Sequence, residues 1–175
     1  MDSSVSKSVA EGVGMSNEVE LSNALQLSRP TLGDDTGVGL YRMLRLVAFE
    51  DILGSSAGGI TYYAGKKLGA SLGITQLDDF LTLCHEQKIG RIEIPVFEED
   101  RIYVDVFECV TCSGMTPVGR PLCHFEGGLI AGVVEGLLGR PVRAKEKTCI
   151  GGLGHESCGF ELTIGKHVEK ITEAV

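Results

Sequence analysis

The sequence predicts an α+β domain: a mainly antiparallel four-stranded sheet with helices packed on it. Three observations predict it. Before residue 90, apolar residues recur three and four apart, the period of helices. From Ile92 to Val106 the period drops to two, that of strands with one buried face. After Pro121 the helical period returns once, and two further strand-like runs follow.

Taken in order, residues 1–28 are rich in Ser, Glu and small residues, and read as a loosely held arm or a short helix lying on the domain. The turn formers from Arg29 to Gly37 lead into Leu40, Met43, Leu44, Val47 and Ile52, the spacing of a first core helix. Asp34 and Asp35 before it read as a cap rather than as acid catalysts. Gly54-Ser55-Ser56 supplies a stop and a new N-cap, after which Ile60, Ala64, Leu68 and Leu72 line one face of a second helix. Leu77, Phe80, Leu81 and Cys84 mark a third, with Thr75 as cap, Asp78 and Asp79 in its first turn, and an end before Gly90.

Ile92, Ile94 and Val96, then Ile102, Val104 and Val106, alternate with polar residues as two antiparallel strands. From Pro121, the residues Leu122, Phe125, Leu129, Val133 and Leu137 share the face of a fourth helix that stops at Gly139. Gly128, Gly132 and Gly136 stand four apart in it, each costing about 1 kcal/mol of helix propensity against Ala. Close packing against a neighbouring element is the expected compensation, and room for a ligand is the alternative. Val142 to Cys149 and Cys158 to Ile164 complete the sheet, joined by a glycine-rich loop, and residues 166–175 form a tail.

At 175 residues, with 43% hydrophobic and 23% charged, the chain suits one globular domain. No apolar run approaches the roughly 20 residues that span a bilayer. The N-terminus lacks the basic start and apolar core of a secretory signal, so a cytoplasmic location with reduced thiols is expected. Net charge is −8 with no block of Lys or Arg, which argues against direct nucleic-acid binding.

Five of the six cysteines fall between Cys109 and Cys158, and in a reducing compartment such a cluster points to a metal or a reactive site before a disulfide framework. Cys149 and Cys158 stand at facing ends of the last two strands, with Glu146 three residues before the first. Two thiolates and a carboxylate make three of the four tetrahedral donors zinc prefers, and Cys123 at the start of the glycine-rich helix can be the fourth. The CxxC pair Cys109 and Cys112 could instead form a rival site with Cys149 and Cys158, and His124 or His155 could replace a ligand. Otherwise Cys109 and Cys112 read as half-buried thiols near the core. Arg120, Lys145 and Lys147 are near enough in sequence to offset a negative site. Cys84 reads as a core residue, His85 as a solvated one, and of Tyr62 and Tyr63 one is expected in the core or lining a pocket and the other exposed.

Glu108 to Gly114, Gly119 to Gly132, Leu138 to Val142 and the closing Cys149 to Phe160 hairpin resemble the 4-vinyl-reductase domain over residues 29–165. Relatives in that family include a proposed reductase of bacteriochlorophyll synthesis and the sensory domains of phenol- and xylene-responsive activators. The sensory domains bind small aromatic molecules beside a zinc held by three Cys and one Glu. The resemblance implies a ligand-binding fold of that type, a zinc cofactor on Cys123, Glu146, Cys149 and Cys158, and a homodimer. The face carrying Leu40, Met43 and Val47 is one candidate interface, although burial in the core explains those residues equally well.

Four protein donors leave zinc no open position, so the metal argues for structure over catalysis. Gly37-Val38-Gly39 is no dinucleotide fingerprint, and no Ser-His-Asp or Cys-His arrangement stands out, so no catalytic residue is assigned. The first reading is thus a domain that binds or senses a small hydrophobic or aromatic molecule. An enzyme of the vinyl-reductase type acting on a tetrapyrrole comes second, and a lipid-holding assembly factor of the transport-particle type third.

Overall fold

The computed structural model describes residues 21–166 apart from Leu25 and Asp34. Its helices are α1 (Leu21–Ala24), α2 (Val38–Arg42), α3 (Phe49–Leu53), α4 (Ala57–Ser71), α5 (Leu77–Glu86), α6 (His124–Leu138) and α7 (Ile150–Leu153), and its strands β1 (Arg91–Phe97), β2 (Arg101–Phe107), β3 (Val142–Glu146) and β4 (Cys158–Ile164). Residues 1–20 of the expected arm, most of the tail and Asp34 lie outside the described residues.

The strands form one sheet in the order β1-β2-β4-β3, and every neighbouring pair is antiparallel. Period two decides which side is buried. Ile102, Val104 and Val106 of β2 lie opposite Leu162, Phe160 and Cys158 of β4, and all six are buried. Tyr103, Asp105 and Glu161 on the other side are only half-buried, so the sheet has one core face. Phe80 and Cys84 of α5 join that core, as their spacing predicts, and His85 is exposed.

Over the sheet lies α6, and over α6 lies α4. From Glu126 to Val134 every residue of α6 is buried, because the helix is covered on both sides. The glycines account for the second contact. A Cβ added at Gly128 or Gly132 would overlap the carbonyl oxygens of Tyr62 and Lys66 on α4, and one at Gly65 or Gly69 would overlap those of Phe125 and Leu129 on α6. Two glycine pairs thus bring the helix backbones together, the packing reading of the glycine spacing. Gly136 takes no part, with nothing within 4 Å of an added Cβ.

The same contact corrects two expectations. The buried face of α4 runs through Ala57, Gly65, Gly69 and the following Leu72, while Ile60 is 47% exposed. Glycines rather than the larger apolar residues turn inward, because only they permit the close approach. The first helix is likewise not a core helix. Met43–Ala48 continues α2 as a π-helical segment, and Leu40, Met43, Leu44 and Val47 are 49–65% exposed while Arg45 is buried. Gly54, at φ +55, marks the turn into a short 3-10 segment before α4, but neither Ser56 nor Thr75 makes a side-chain cap, and Gln76 holds the N-cap position of α5.

Candidate metal centre and adjoining cavity

Two connections deliver the cysteines to one place, that from β2 to α6 and that from β3 to β4. Glu108 takes a left-handed conformation, φ +53, at the end of β2, and the turn that follows carries Cys109 and Cys112. Cys123 occupies the N-cap position of α6. Cys149 and Cys158 flank the loop containing α7, so β3 ends at Glu146, short of the Cys149 expected from the sequence. Glycines let these loops interlock: a Cβ at Gly151 would overlap the Cys112 carbonyl oxygen, and one at Gly152 would stand 2.7 Å from Cys149 Sγ.

All five cysteines are fully buried. Cys112 and Cys123 are 3.3 Å apart, Cys112 and Cys158 3.3 Å, Cys123 and Cys158 3.6 Å, and Cys149 lies 3.9 Å from both Cys112 and Cys123. Cys109 is 3.5 Å from Cys123. Zinc–sulfur bonds of about 2.3 Å put the corners of a regular tetrahedron roughly 3.8 Å apart, so sulfurs at these separations fit around one ion. Two overlapping sets have donor atoms within 4.8 Å of one another: Cys109, Cys112, Cys123 and Cys158, and the sequence-predicted Cys123, Glu146, Cys149 and Cys158. The cluster could therefore hold a metal ion.

The rest of the site is polar but poorly satisfied. Glu146 Oε2 accepts the Cys123 backbone N–H at 3.0 Å, while Oε1 is buried without a hydrogen-bond partner among the described residues. Burial, then the Cys149 thiol beside it, pushes the Glu146 carboxyl up to about 9. Among the sulfurs, hydrogen bonding divides the protons. Contacts with Cys112, Cys123 and Cys158 hold the Cys109 thiol well below the usual range. The Cys109 contact pushes Cys112 up, but those with Cys123, Cys149 and Cys158 outweigh it and bring Cys112 down to about 4. Contacts with Cys109 first, and then with other members of the cluster, push Cys123 and Cys158 up. The Ile150 N–H also points at Cys158 Sγ, at 3.4 Å. Such a cluster favours thiolate at some positions, the form a metal needs.

Several sequence candidates take other places. His155 Nδ1 accepts the Cys149 N–H at 3.3 Å, and His124 Nδ1 stands 4.0 Å from Glu146 Oε2; neither belongs to a donor set. Arg120 pairs with Glu50, and Lys147 with Glu161 at 3.2 Å, so their charges are engaged away from the sulfurs. Cys109 and Cys112 are inside the cluster rather than half-buried beside the core.

Beside Glu146 opens a cavity of about 280 Å³, lined by Tyr62, Pro121, His124, Gly127, Ala144, Lys145, Glu146 and Phe160. The Tyr62 hydroxyl accepts the Ala144 N–H at 3.0 Å, which fixes the ring at the wall, whereas Tyr63 is 61% exposed. Burial first, then Arg45 and Arg120, holds His124 below the usual imidazole range. Of these lining residues, sequence reasoning proposed only Tyr62 for a pocket wall. It also missed a buried ion pair one helical turn into α6, where Arg45 Nη2 lies 3.0 Å from Glu126 Oε2 and the Tyr41 hydroxyl donates to Glu126 Oε1 at 3.3 Å. A Glu in the first turn of a glycine-rich helix that carries no other acidic residue before Glu135 was the available signal.

Comparison with known proteins agrees with this architecture. The 4-vinyl-reductase domain matches residues 102–164. MJ1642 of Methanocaldococcus jannaschii, itself uncharacterized, is 34% identical over 133 residues, covering 76% of this chain and 81% of the relative. The crystal structure of a vinyl-4-reductase family protein from the same organism superposes with a TM-score of 0.62 at 17% identity, covering 77% of this chain and 85% of that one. The phenol-responsive sensory domain of the transcription activator PoxR, solved with phenol, gives 0.58 at 15% identity, covering 74% and 75%. The α+β fold with its four-stranded antiparallel sheet is thus similar to that of a vinyl-4-reductase family structure. No helix among the described residues is long and apolar enough to cross a membrane.

Proposed function

The chain belongs to the 4-vinyl-reductase domain family, and from that premise we propose that it binds or senses a small hydrophobic or aromatic molecule, with a structural zinc ion bracing one wall of the binding site. The observation that carries this reading is the cavity between α4, the start of α6 and strands β3 and β4. Phe160, Pro121, Ala144 and Gly127 give it apolar surface, and His124, Tyr62 and Glu146 give it a few polar groups that orient a ligand.

Its size favours a compact ligand. About 280 Å³ is just below the roughly 300–1,000 Å³ common for ligand pockets. A single ring of the kind carried by the PoxR domain suits it, and a tetrapyrrole would need a far larger cleft.

Cys123, Glu146, Cys149 and Cys158 are the zinc ligands that the resemblance implies, and their proximity supports that set. The unpartnered Glu146 Oε1 is the kind of buried atom a metal or a ligand satisfies. With four protein donors the ion would hold the start of α6 and the β3–β4 loop together, and would supply no open position for chemistry. A second copy of the chain covers the exposed face of Leu40, Met43, Leu44 and Val47, making the working form a homodimer.

Native mass spectrometry before and after denaturation, with elemental analysis of the same sample, tests this reading. Zinc at one ion per chain, together with a bound organic species or a shift in melting temperature on adding phenol, is the expected result. Ala144→Leu, which puts more carbon into the cavity wall, should abolish the phenol response and leave the metal in place. A metal-free protein, or one indifferent to phenol and to every co-purified small molecule, would overturn it.

A further inference from the structure

Cys109 and Cys112 are left over from the zinc set that the resemblance implies, yet the fold holds both sulfurs against it. Both residues are fully buried, and their turn is fixed from several sides. The Val110 N–H donates to the Ile89 carbonyl at 2.9 Å, and the Cys112 and Ser113 N–H groups donate to the Cys109 carbonyl at 3.2 and 2.9 Å. Arg42 donates from Nε to the Val110 carbonyl at 2.8 Å and from Nη2 to the Ser113 carbonyl at 2.9 Å, which also brings a positive charge to the turn. Gly151 lets α7 approach the Cys112 carbonyl.

That placement completes a second seat for a metal. Cys123 and Cys158, 3.6 Å apart, belong to both donor sets. Cys112 lies 3.3 Å from each of them, Cys109 lies 3.5 Å from Cys123, and all four sulfurs fall within 4.8 Å of one another. Going from one seat to the other exchanges Glu146 and Cys149 for Cys109 and Cys112, so one oxygen donor becomes a sulfur. Zinc is borderline and accepts either set, whereas a softer ion gains from each added thiolate and little from a carboxylate. Terminal sulfurs on two thiolate-bridged ions would stand well apart, but Cys112 and Cys149 are separated by only 3.9 Å, so the seats are alternatives for one ion.

We propose that Cys109, Cys112, Cys123 and Cys158 form an all-thiolate seat for a soft, thiophilic metal ion, which enters in exchange for zinc, while Cys123, Glu146, Cys149 and Cys158 remain the zinc seat. The exchange is ligand substitution without electron transfer: one ion leaves as the other enters, and protons carried by Cys109 and Cys112 go to solvent. An ion in the second seat lets go of Glu146 at the cavity wall and of Cys149 on the β3–β4 connection, so a thiophilic metal loosens the wall that zinc braces. The inference rests on the zinc-braced reading of the domain and adds a competing ion to it.

Cadmium(II), softer than zinc and of the same charge, is the probe. Added to the zinc-loaded chain, it should displace zinc one for one, as elemental analysis of the retained and released fractions reads, and should raise an ultraviolet thiolate-to-metal charge-transfer band. Cys109→Ser and Cys112→Ser should each lower that band by roughly a quarter, one thiolate in four. Each should also weaken cadmium binding by at least about tenfold, the least that losing even an outer partner of a ligand costs. Both variants should still carry zinc at the wild-type level, which shows that they fold. Glu146→Gln should do the reverse, weakening zinc and leaving the cadmium band and affinity unchanged.

If Glu146→Gln weakens both metals and Cys109→Ser weakens neither, cadmium sits in the zinc seat and the proposal is overturned. Cadmium bound while zinc is retained overturns it too, because the seats would then be filled together. A chain that takes cadmium through Cys109 and Cys112 but never zinc would keep this seat and remove the zinc reading, and a chain that takes neither metal would remove both.

Discussion

Glu126 is a carboxylate inside the helix layers, 2% exposed, and its neighbours explain how it can be there. Arg45 reaches it from the π-helical segment, Thr111 and Tyr41 donate hydroxyl hydrogen bonds, and burial pushes the Tyr41 phenol up to about 12, so it remains a donor. Removing one member of such a pair strands the other charge. Glu126→Ala should therefore cost about 3–5 kcal/mol in urea unfolding, while Arg45→Met combined with Glu126→Leu should recover most of that loss. A single-variant cost below about 1 kcal/mol would mean that water reaches Arg45 in the folded state. The pair was illegible in the sequence because its members stand 81 positions apart. The proximity of Cys123, Cys149 and Cys158 was legible because they cluster in one stretch of chain. The central place of Cys112 was not, since it depends on the left-handed turn at Glu108, which no spacing rule reveals.

Among the elements, the α4–α6 contact was foreseeable in kind and not in direction. Glycines four apart announced close packing, but only the structure pairs Gly128 with Tyr62 and Gly132 with Lys66. The buried face of β2 was legible, because alternation of Ile102, Val104 and Val106 admits only one, whereas the end of β3 at Glu146 was not. A contrast between two glycines of α6 tests the contact. Gly132→Ala presses a methyl into helix backbone that no rotamer change can relieve, and should destabilise by about 1–3 kcal/mol. Gly136→Ala meets open space and should stabilise by about 0.5–1 kcal/mol from helix propensity alone, as measured by thermal or urea melts. The far end of the same contact is pH-dependent. Lys66 Nζ lies 2.8 Å from Glu135 Oε2, which also accepts the Val142 N–H. Partial burial raises the Glu135 carboxyl, but the Lys66 and Val142 hydrogen bonds outweigh it and hold the group below its usual 4.5. A depressed carboxylate stabilises the fold above its unfolded pKa and loses that contribution as pH falls through the folded one. The melting-temperature gap between wild type and Glu135→Gln should accordingly be open above pH 4.5 and close below it. Because the group is a third exposed, the gap should also shrink in high salt.

For the whole molecule, the cluster ties the β2–α6 connection to the β3–β4 connection, so removal of an ion bound there should be felt globally. A site filled at about 1,000 times its dissociation constant contributes roughly 4 kcal/mol, and each kcal/mol moves the melting temperature of a chain this size by about 2–4 °C. Chelation should then lower it by roughly 8–16 °C in calorimetry, and zinc should restore it. The apolar face left outside this frame argues for association. Leu40, Met43, Leu44 and Val47 are exposed because the π-helical segment turns Arg45 toward Glu126, and the residues around it are thereby turned to solvent. One buried charge contact thus sets the orientation of the whole exposed face. Ile52 at 77% and Phe49 at 50% continue the apolar surface along the chain. If a second copy covers it, Met43→Glu with Val47→Glu should convert the dimer to a monomer in light scattering while zinc content and the phenol response stay intact. If the wild-type chain is already monomeric at micromolar concentration, the face belongs to a different protein, and the same double variant should leave mass unchanged.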